Sequence, residues 1–291
     1  MDRFLRERYP GVRAPEIHAA LREGRIRRNG RPAAKGDTLR GGDTLEVDGL
    51  RETSDWRIAP DSSIPLDVLR ESPHWAACAK PAGMPTHPLR PDEKGTLANA
   101  MVARWPEIAT FGEPPLMGGV LHRLDTDTSG IVLAARDPGS YAALRGQFAE
   151  RTVVKTYLAL VAGVVETSGR LENDLVHAAA RPCRMTDAAR IRTKERPMRA
   201  VTEYRPLSRH GGFTLLEVVI RTGVTHQIRC QLSLAGHPLA GDALYGGPVH
   251  PGLSRHFLHA VKVAFSDPAT GRPVTIEAPL PPELQAVCAK R

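Results

Sequence analysis

Cysteine is scarce in this sequence, and its few cysteines lie too far apart to act together. The 291 residues include four of them, Cys78, Cys183, Cys230 and Cys288, and no two form a Cys-x-x-Cys pair. A disulfide framework or a thiolate zinc site would need closely paired cysteines, so neither is predicted. We expect reduced thiols, no bound metal and no organic cofactor, because no motif for either is present.

Long apolar runs, internal repeats and low-complexity tracts are also missing. No segment approaches the roughly 18 to 20 apolar residues of a membrane span, and Met1–Pro10 is charged instead of apolar. With 41% hydrophobic and 25% charged residues, the composition is that of an ordinary globular protein. We expect a cytoplasmic monomer with no membrane partner.

Negative charge is in deficit. The formal net charge is +8 and the pI is near 9.6, and the basic excess is concentrated in residues 22–40 and 181–210. This balance favours a polyanionic partner, because each Lys or Arg that neutralises a phosphate releases counterions. Solvated basic loops are the alternative interpretation from charge alone.

The first 50 residues have the pattern of a small separate unit. Residues 2–9 and 15–23 predict two short helices, the second ending at Gly24. Asn29-Gly30 then suits the tight turn of a β-hairpin. This unit is strongly basic, and four of its arginines are candidate contacts to the polyanion: Arg25, Arg27, Arg28 and Arg31.

A linker is predicted at residues 51–65 and a larger domain at 66–291, where short apolar strands alternate with turns. Strands are predicted at 75–79, 130–135, 153–161, 213–221 and 260–265, and helices at 96–103, 140–150 and 226–234. This order predicts an α+β domain with a mixed or antiparallel sheet. The proline-rich stretch 279–282 is expected to end the fold.

Residues 121–130 concentrate reactive side chains just before a predicted strand. They include Asp125, Asp127, a histidine, an arginine and three hydroxyl residues. Asp and Ser often hold turns by binding nearby backbone N–H groups, and we assign that structural role to Asp127 and Ser129. For Asp125 the local pattern leaves a structural and a functional role equally open.

The string His122–Gly130 resembles the signature loop of the RluA-type pseudouridine synthases. Other segments typical of that family appear in the expected order: Lys80–Gly83 with His87-Pro88, Lys155–Ala159, Arg221–Arg229, Gly241–Gly246 and Leu258–Ala260. The resemblance covers about residues 66–280, and it implies a curved-sheet catalytic domain with a central cleft. The first 50 residues resemble the small ribosomal-protein-type RNA-binding domain that several members carry.

The resemblance implies that selected uridines in structured RNA are isomerised to pseudouridine, a reaction that needs no cofactor. The bond from N1 to C1′ breaks, the uracil turns, and its C5 is joined to C1′. By motif position Asp125 is the catalytic carboxylate, either as a nucleophile or by removing a sugar proton, and these two routes stay open.

Two more site residues follow from the same resemblance. Arg229 is expected to keep Asp125 ionised in a dry pocket, and Tyr157 is expected to lie against the target base, where it can stack or assist a proton transfer at C5. Without the resemblance, Arg229 would be one of many surface arginines and Tyr157 a core tyrosine with a satisfied hydroxyl.

A stacked uridine must be extruded before it can react. By resemblance, Arg123 fills the vacated stack with its flat guanidinium, and a salt bridge to Asp127 is the structural alternative. His122 is expected to anchor the loop by hydrogen bonds and not to catalyse.

The sequence departs from the family pattern at Val224, where arginine is usual, and at Cys230-Gln231, where a histidine is common. These positions flank the motif, so they bear on local RNA contacts more than on chemistry. Residues 181–199 match only loosely, which limits any inference about substrate identity.

Other functions fit the sequence less well. Zinc-dependent base deamination is excluded because Pro182-Cys183 has no second cysteine at the required spacing. A glycosidase built on Asp125 and Asp127 would need a loop to bring the two together. A non-catalytic RNA-binding or ribosome-assembly factor stays open. Large-subunit ribosomal RNA is the favoured substrate, with transfer RNA as the alternative.

Overall fold

The computed structural model describes residues 1–9, 12–50, 56–180 and 183–289. The N-terminal unit contains helices α1 (Asp2–Arg8) and α2 (Ala14–Arg22) and strands β1 (Ile26–Arg28), β2 (Arg31–Pro32) and β3 (Leu45–Val47). The strands form a three-stranded antiparallel sheet in the order β2-β1-β3.

Both predicted N-terminal helices and the predicted hairpin are confirmed. Asn29 and Gly30 have φ angles of 50° and 77°, the left-handed values that a tight hairpin turn requires. The fully buried side chains of Leu5, Ile17 and Ile26 belong to a hydrophobic cluster of this unit's own residues. The N-terminal fifth of the chain therefore has its own core.

The larger part of the chain is built on one ten-stranded sheet. Its strands are β4 (Asp67–Glu71), β5 (Trp75–Lys80), β6 (Ser129–Ala135), β7 (Val154–Ala162), β8 (Gly169–Ala180), β9 (Cys183–Asp187), β10 (Met198–His210), β11 (Phe213–Ile220), β12 (Leu258–Ser266) and β13 (Pro273–Glu277). The order is β4-β5-β6-β12-β7-β11-β10-β8-β9, with β13 also paired to β12. Only β6 and β12 run parallel among these pairs, so the predicted mixed α+β class is confirmed.

The predicted strands were the apolar ones, and all five are present. The other five strands, β4, β8, β9, β10 and β13, were not predicted, because polar or charged residues interrupt their apolar residues. Backbone pairing of β10 with β8 and β11 holds this part of the sheet together. An alternation of apolar side chains does not.

Four helices accompany the sheet: α3 (Leu97–Arg104), α4 (Pro138–Ala149), α5 (Gln227–Leu234) and α6 (Pro282–Ala289). The first three were predicted to within a few residues. Thr96 begins α3 with a reciprocal cap to Asn99, and Asp137 caps α4 by accepting from the backbone N–H of Ser140. No helix in the described part of the chain combines the length and apolar character needed to cross a membrane.

The expectation that residues 279–282 end the fold is wrong. Pro282 opens α6, a position where its missing N–H is harmless. The helix buries Leu284 and Val287 in a cluster that includes Phe257 and Leu160. The tail thus covers one face of the sheet.

The predicted linker lies partly outside the described residues, which omit 51–55. Within its second half, Ile58 is 2% exposed and packs in the main core beside Met101 and Trp105. The domain boundaries at 51 and 65 stay a prediction.

Alternation along β7 positions the candidate site. Tyr157 and Ala159 contribute to the main core, whereas Leu160 contributes to the cluster covered by α6. Because residues two apart on a strand share a face, Lys155 and Tyr157 lie on the same side of the sheet. Tyr157 sits between Val218 of β11 and Ala260 of β12.

Candidate active site

A cleft of about 540 Å³ opens between the loop that precedes β6, the strand β7 and the start of α5. Asp125, Tyr157 and Arg229 all line it, although more than a hundred positions of sequence separate the first from the last. The fold therefore brings together the three predicted catalytic residues.

The loop that carries Asp125 is held from both sides. The Thr86 hydroxyl donates to the Leu124 carbonyl at 2.8 Å and accepts from the Leu124 N–H at 3.0 Å. The buried Lys80 ammonium donates to the carbonyls of Pro81, Met84 and Thr126. Burial lowers the pKa of Lys80 to about 7. These bonds fix the residues on each side of Asp125.

The end of the loop is fixed by two histidines. The Thr128 hydroxyl lies 2.8 Å from His256 Nε2, and the Ser129 hydroxyl lies 2.9 Å from His259 Nδ1. Burial lowers the pKa of both histidines to about 4, so they are neutral partners at ordinary pH. Ser129 thus helps to hold the loop, although its hydroxyl binds a distant side chain and not the nearby backbone N–H groups that were predicted.

Arg255 ties this loop to the C-terminal helix. Its guanidinium donates to the carbonyl of Asp127 at 3.0 Å, to the hydroxyl of Ser129 at 3.0 Å and to the carboxylate of Glu283 in α6 at 2.9 Å. The loop-holding role predicted for the Asp127 side chain is wrong, because that side chain is exposed and only its carbonyl makes a contact among the described residues.

Gly130, where the loop enters β6, cannot carry a side chain. Its φ is 122°, and an added Cβ would lie 2.3 Å from the carbonyl oxygen of Ala260. The parallel pairing of β6 with β12 depends on this close approach.

Asp125 and Arg229 meet inside the cleft. Arg229 Nη1 donates to Asp125 Oδ2 at 2.9 Å, and the same guanidinium holds Asp242 through Nε at 2.7 Å and Nη2 at 2.8 Å. The predicted pairing of Arg229 with Asp125 is thus confirmed. Asp242 was not predicted to have a role, although Gly241–Gly246 stood out as a segment.

The positive charge of Arg229 is balanced by the negative charges of Asp125 and Asp242. Arg229 is 8% exposed and Asp242 is 2% exposed, so neither is solvated well by water. Burial alone would lower the pKa of Arg229, but the hydrogen bonds and charges of Asp242 and Asp125 raise it above its usual value. A permanently charged arginine next to Asp125 favours the ionised carboxylate.

Tyr157 is 5% exposed, and its hydroxyl makes no hydrogen bond with the described residues. This is not the core tyrosine with a satisfied hydroxyl that was the alternative. Burial, with a smaller contribution from the charge of Asp125, raises the pKa of Tyr157 above its usual value. Its ring lines the cleft, as a residue that lies against a base must.

His226 and Tyr245 also stand at the site, and neither was predicted to act there. His226 Nε2 is 3.8 Å from Asp125 Oδ2, and His226 Nδ1 is 3.0 Å from the Tyr245 hydroxyl. The Arg229 guanidinium lies over the Tyr245 ring at 5.2 Å from its centroid. No local pattern marks such a contact between residues of different segments.

The rim of the cleft is basic. Five exposed arginines line it: Arg123, Arg145, Arg151, Arg199 and Arg221. Arg123 has no hydrogen bond or ion pair with any described residue, so the alternative salt bridge to Asp127 is not formed. His122 accepts from the Leu133 N–H at 3.1 Å, which confirms its expected anchoring role.

The departures from the family pattern are accounted for by packing. Val224 packs against the cluster that contains Cys230 and Tyr245. Gln231 is 1% exposed and bonds to Thr202 of β10 and Asn173 of β8. These side chains hold α5 against the sheet.

The N-terminal arginines do not line the cleft, and two of them already have partners. Arg25 pairs with Glu23 at 2.7 Å, and Arg28 pairs with Asp43 at 2.8 Å. Arg27 and Arg31 are exposed and have no partner among the residues that the structure describes. The role of all four in RNA binding stays a prediction.

Comparisons with known proteins agree with this geometry. The family model described as RNA pseudouridylate synthase matches residues 74–234. The "Ribosomal large subunit pseudouridine synthase D" of Xanthomonas campestris pv. campestris is 34% identical over 98% of this chain and 86% of its own length. An "Uncharacterized RNA pseudouridine synthase" of Chloroflexus aurantiacus is 36% identical over 99% of this chain and 88% of its own.

The fold is shared with a solved structure. "Human RNA Pseudouridylate Synthase Domain Containing 1" aligns with a TM-score of 0.61 and 24% identity, covering 79% of this chain and 90% of that one. The chain belongs to the RNA pseudouridylate synthase family, in its RluA-type branch. It is accordingly a pseudouridine synthase, an enzyme that isomerises uridine.

Proposed function

We propose that this enzyme modifies large-subunit ribosomal RNA, that it flips the target uridine into the cleft, and that Asp125 starts the reaction. The observation that carries the proposal is the carboxylate of Asp125, held by Arg229 at 2.9 Å in a cleft with a basic rim. A carboxylate that reacts at a sugar or a base must be ionised, and a buried guanidinium favours that form.

Asp125 Oδ2 is occupied by Arg229, whereas Oδ1 makes no hydrogen bond with the described residues. The free oxygen is the reacting atom. It either attacks the sugar or base, forming a covalent intermediate as the N1–C1′ bond breaks, or removes a sugar proton. Both routes begin from the same ionised carboxylate.

Flipping is supported by the enclosed position of Asp125, which a stacked uridine would not reach. The Arg123 guanidinium is exposed two residues away and is free to fill the gap in the stack. The ring of Tyr157 supplies an apolar surface for the extruded base.

The substrate class is supported by the relatives' names, which specify the ribosomal large subunit. The basic rim and the N-terminal hairpin suit a large folded RNA, whose phosphates can be contacted at several places. Transfer RNA is the competing substrate.

The test measures release of hydrogen from C5 of tritium-labelled uridine in two transcribed RNAs, a large-subunit ribosomal RNA and a mixture of transfer RNAs. The wild-type enzyme should release tritium from the ribosomal RNA only, and Asp125→Asn should release none while binding the RNA with similar affinity. Release from transfer RNA alone would overturn the substrate assignment. Full release by Asp125→Asn would overturn the role of the carboxylate.

A further inference from the structure

We propose that His226 is a positioning residue for Asp125, and that Tyr245 sets the tautomer of its imidazole. The inference rests on the proposed role of Asp125. It adds a second group that orients the carboxylate, from the same turn of chain that supplies Arg229.

His226 approaches the oxygen that Arg229 also binds. Its Nε2 is 3.8 Å from Asp125 Oδ2, against 2.9 Å for Arg229 Nη1. A hydrogen bond forms at about 2.7–3.2 Å, so Nε2 must lie roughly 0.6 Å or more closer to Oδ2 in the RNA-bound enzyme. Both groups then hold Oδ2 and direct the free Oδ1 towards the substrate.

The hydrogen bonds of the Tyr245 hydroxyl determine which nitrogen of the His226 imidazole carries the proton. Its hydroxyl oxygen accepts from the Met185 N–H at 2.9 Å and lies 3.0 Å from His226 Nδ1. The hydroxyl proton has no other acceptor among the described residues, so it is donated to Nδ1. A neutral imidazole that accepts at Nδ1 carries its proton on Nε2, which faces Asp125.

The charges around His226 keep the imidazole neutral. Burial lowers its pKa, and the nearby positive charges of Arg229 and Arg123 act in the same direction, whereas Asp125 and Asp242 oppose them. A neutral donor orients the carboxylate without cancelling its negative charge. A protonated histidine would form an ion pair with Asp125 and weaken its reactivity.

The backbone fixes His226 at the start of α5. Its φ of 52° lies in the left-handed region, which few residues other than glycine, asparagine, aspartate and histidine adopt. The residue caps α5, three positions before Arg229, and the amide of Cys230 donates to its carbonyl. One turn therefore places His226 and Arg229 near the same carboxylate oxygen, at 3.8 Å and 2.9 Å.

The test compares His226→Gln with His226→Met in the full-length enzyme. The two replacements have similar length and meet the same backbone restriction, but only glutamine offers an N–H near the position of Nε2. We expect kcat of His226→Met to be about 10- to 100-fold below that of His226→Gln, the cost of a lost hydrogen bond to a charged group. KM for RNA should be alike, because the imidazole acts through Asp125 and not on the RNA.

Tyr245→Phe gives an independent measurement. It keeps the ring beneath Arg229 but removes the hydroxyl that sets the tautomer, so kcat should fall while KM holds. Equal kcat values for His226→Gln and His226→Met would overturn the inference. In that case the lack of activity in Asp125→Asn would still support the proposed function, whereas an active Asp125→Asn would overturn both.

Discussion

The cleft and the N-terminal hairpin use arginine in opposite ways. In the cleft, Arg229 is 8% exposed and binds two carboxylates within the protein. In the hairpin, Arg27 and Arg31 are exposed and have no partner among the described residues. One guanidinium is buried against carboxylates of the protein, and the others stay exposed to solvent.

Burial determines how far an arginine depends on neighbouring carboxylates. A buried cation is tolerated only when carboxylates and hydrogen bonds compensate for lost hydration, so Arg229 depends on Asp242 and Asp125. An exposed cation is hydrated and needs no such support, so it stays available to a phosphate of a bound partner.

The largest effect on stability is expected when Arg229 loses its buried partner Asp242. Asp242→Asn leaves the guanidinium with a single carboxylate, and breaking a buried pair costs about 3–5 kcal/mol. We expect a loss of that order in the free energy of unfolding by denaturant, together with loss of C5 hydrogen release.

Glu283→Gln is the matched control. Glu283 is the half-exposed partner of Arg255, which also keeps its bonds to the Asp127 carbonyl and the Ser129 hydroxyl. Losing this pair should therefore cost at most about 1 kcal/mol. If Asp242→Asn were no more destabilising than Glu283→Gln, Arg229 would not depend on its buried partner.

Lowering the pH tests the cost of burying a second basic side chain, that of His256. Its pKa is about 4 in the folded protein, against an ordinary value of 6.5. Below pH 6.5 the unfolded chain takes up a proton that the folded protein refuses, so stability falls as the pH drops towards 4. The slope contributed by this group approaches about 1.4 kcal/mol per pH unit.

His256→Gln keeps a hydrogen-bonding group beside Thr128 but does not titrate. Unfolding free energies measured at pH 7 and pH 5 should differ less for this variant than for the wild-type protein. An equal difference would show that His256 is solvated and charged in the folded state.

Replacing Tyr157 separates the ring from the hydroxyl. Tyr157→Leu should lower kcat/KM by about 10- to 100-fold, since stacking on an aromatic ring contributes about 1–3 kcal/mol per base. Tyr157→Phe should lose much less, because the raised pKa of the hydroxyl makes it a poor source of a phenolate base. A Phe variant as slow as the Leu variant would assign proton transfer to the hydroxyl.

The smallest effect is expected at the hairpin. Arg27→Ala with Arg31→Ala should weaken RNA binding and reduce its salt dependence, by about 0.9 in the logarithmic slope for each phosphate that the hairpin no longer neutralises. The rate on bound RNA should not change. Arg25→Ala with Arg28→Ala removes the same charge from arginines that already have partners, so the slope should change less.

Much of this site could be predicted because the sequence resembles a known family, and the reaction which that resemblance implies demands certain groups. A carboxylate in a dry cleft needs a cation, and Arg229 proved to be 2.9 Å from Asp125. Asp242 and Tyr245 could not be assigned in this way. Their roles come from the approach of α5 to a distant turn, which no local pattern reports.

The fold, too, could be predicted only where a local sequence pattern reports it. Apolar strands such as β7 and β11 were predicted because their side chains reveal their burial. The charged strand β10 was missed because its position depends on backbone pairing with β8 and β11. The partner of Arg28 was missed for a similar reason, since Asp43 is fifteen positions away along the hairpin unit.

The last helix has a bearing on how the protein can be handled. Arg255 joins Glu283 of α6 to the carbonyl of Asp127, two positions after Asp125. A chain shortened before Pro282 would retain each proposed reacting side chain and yet lose one of the hydrogen-bonded ties on the loop that carries Asp125. Loss of activity after C-terminal trimming should therefore first be examined as a loosening of the Asp125 loop, and not as loss of a reacting group.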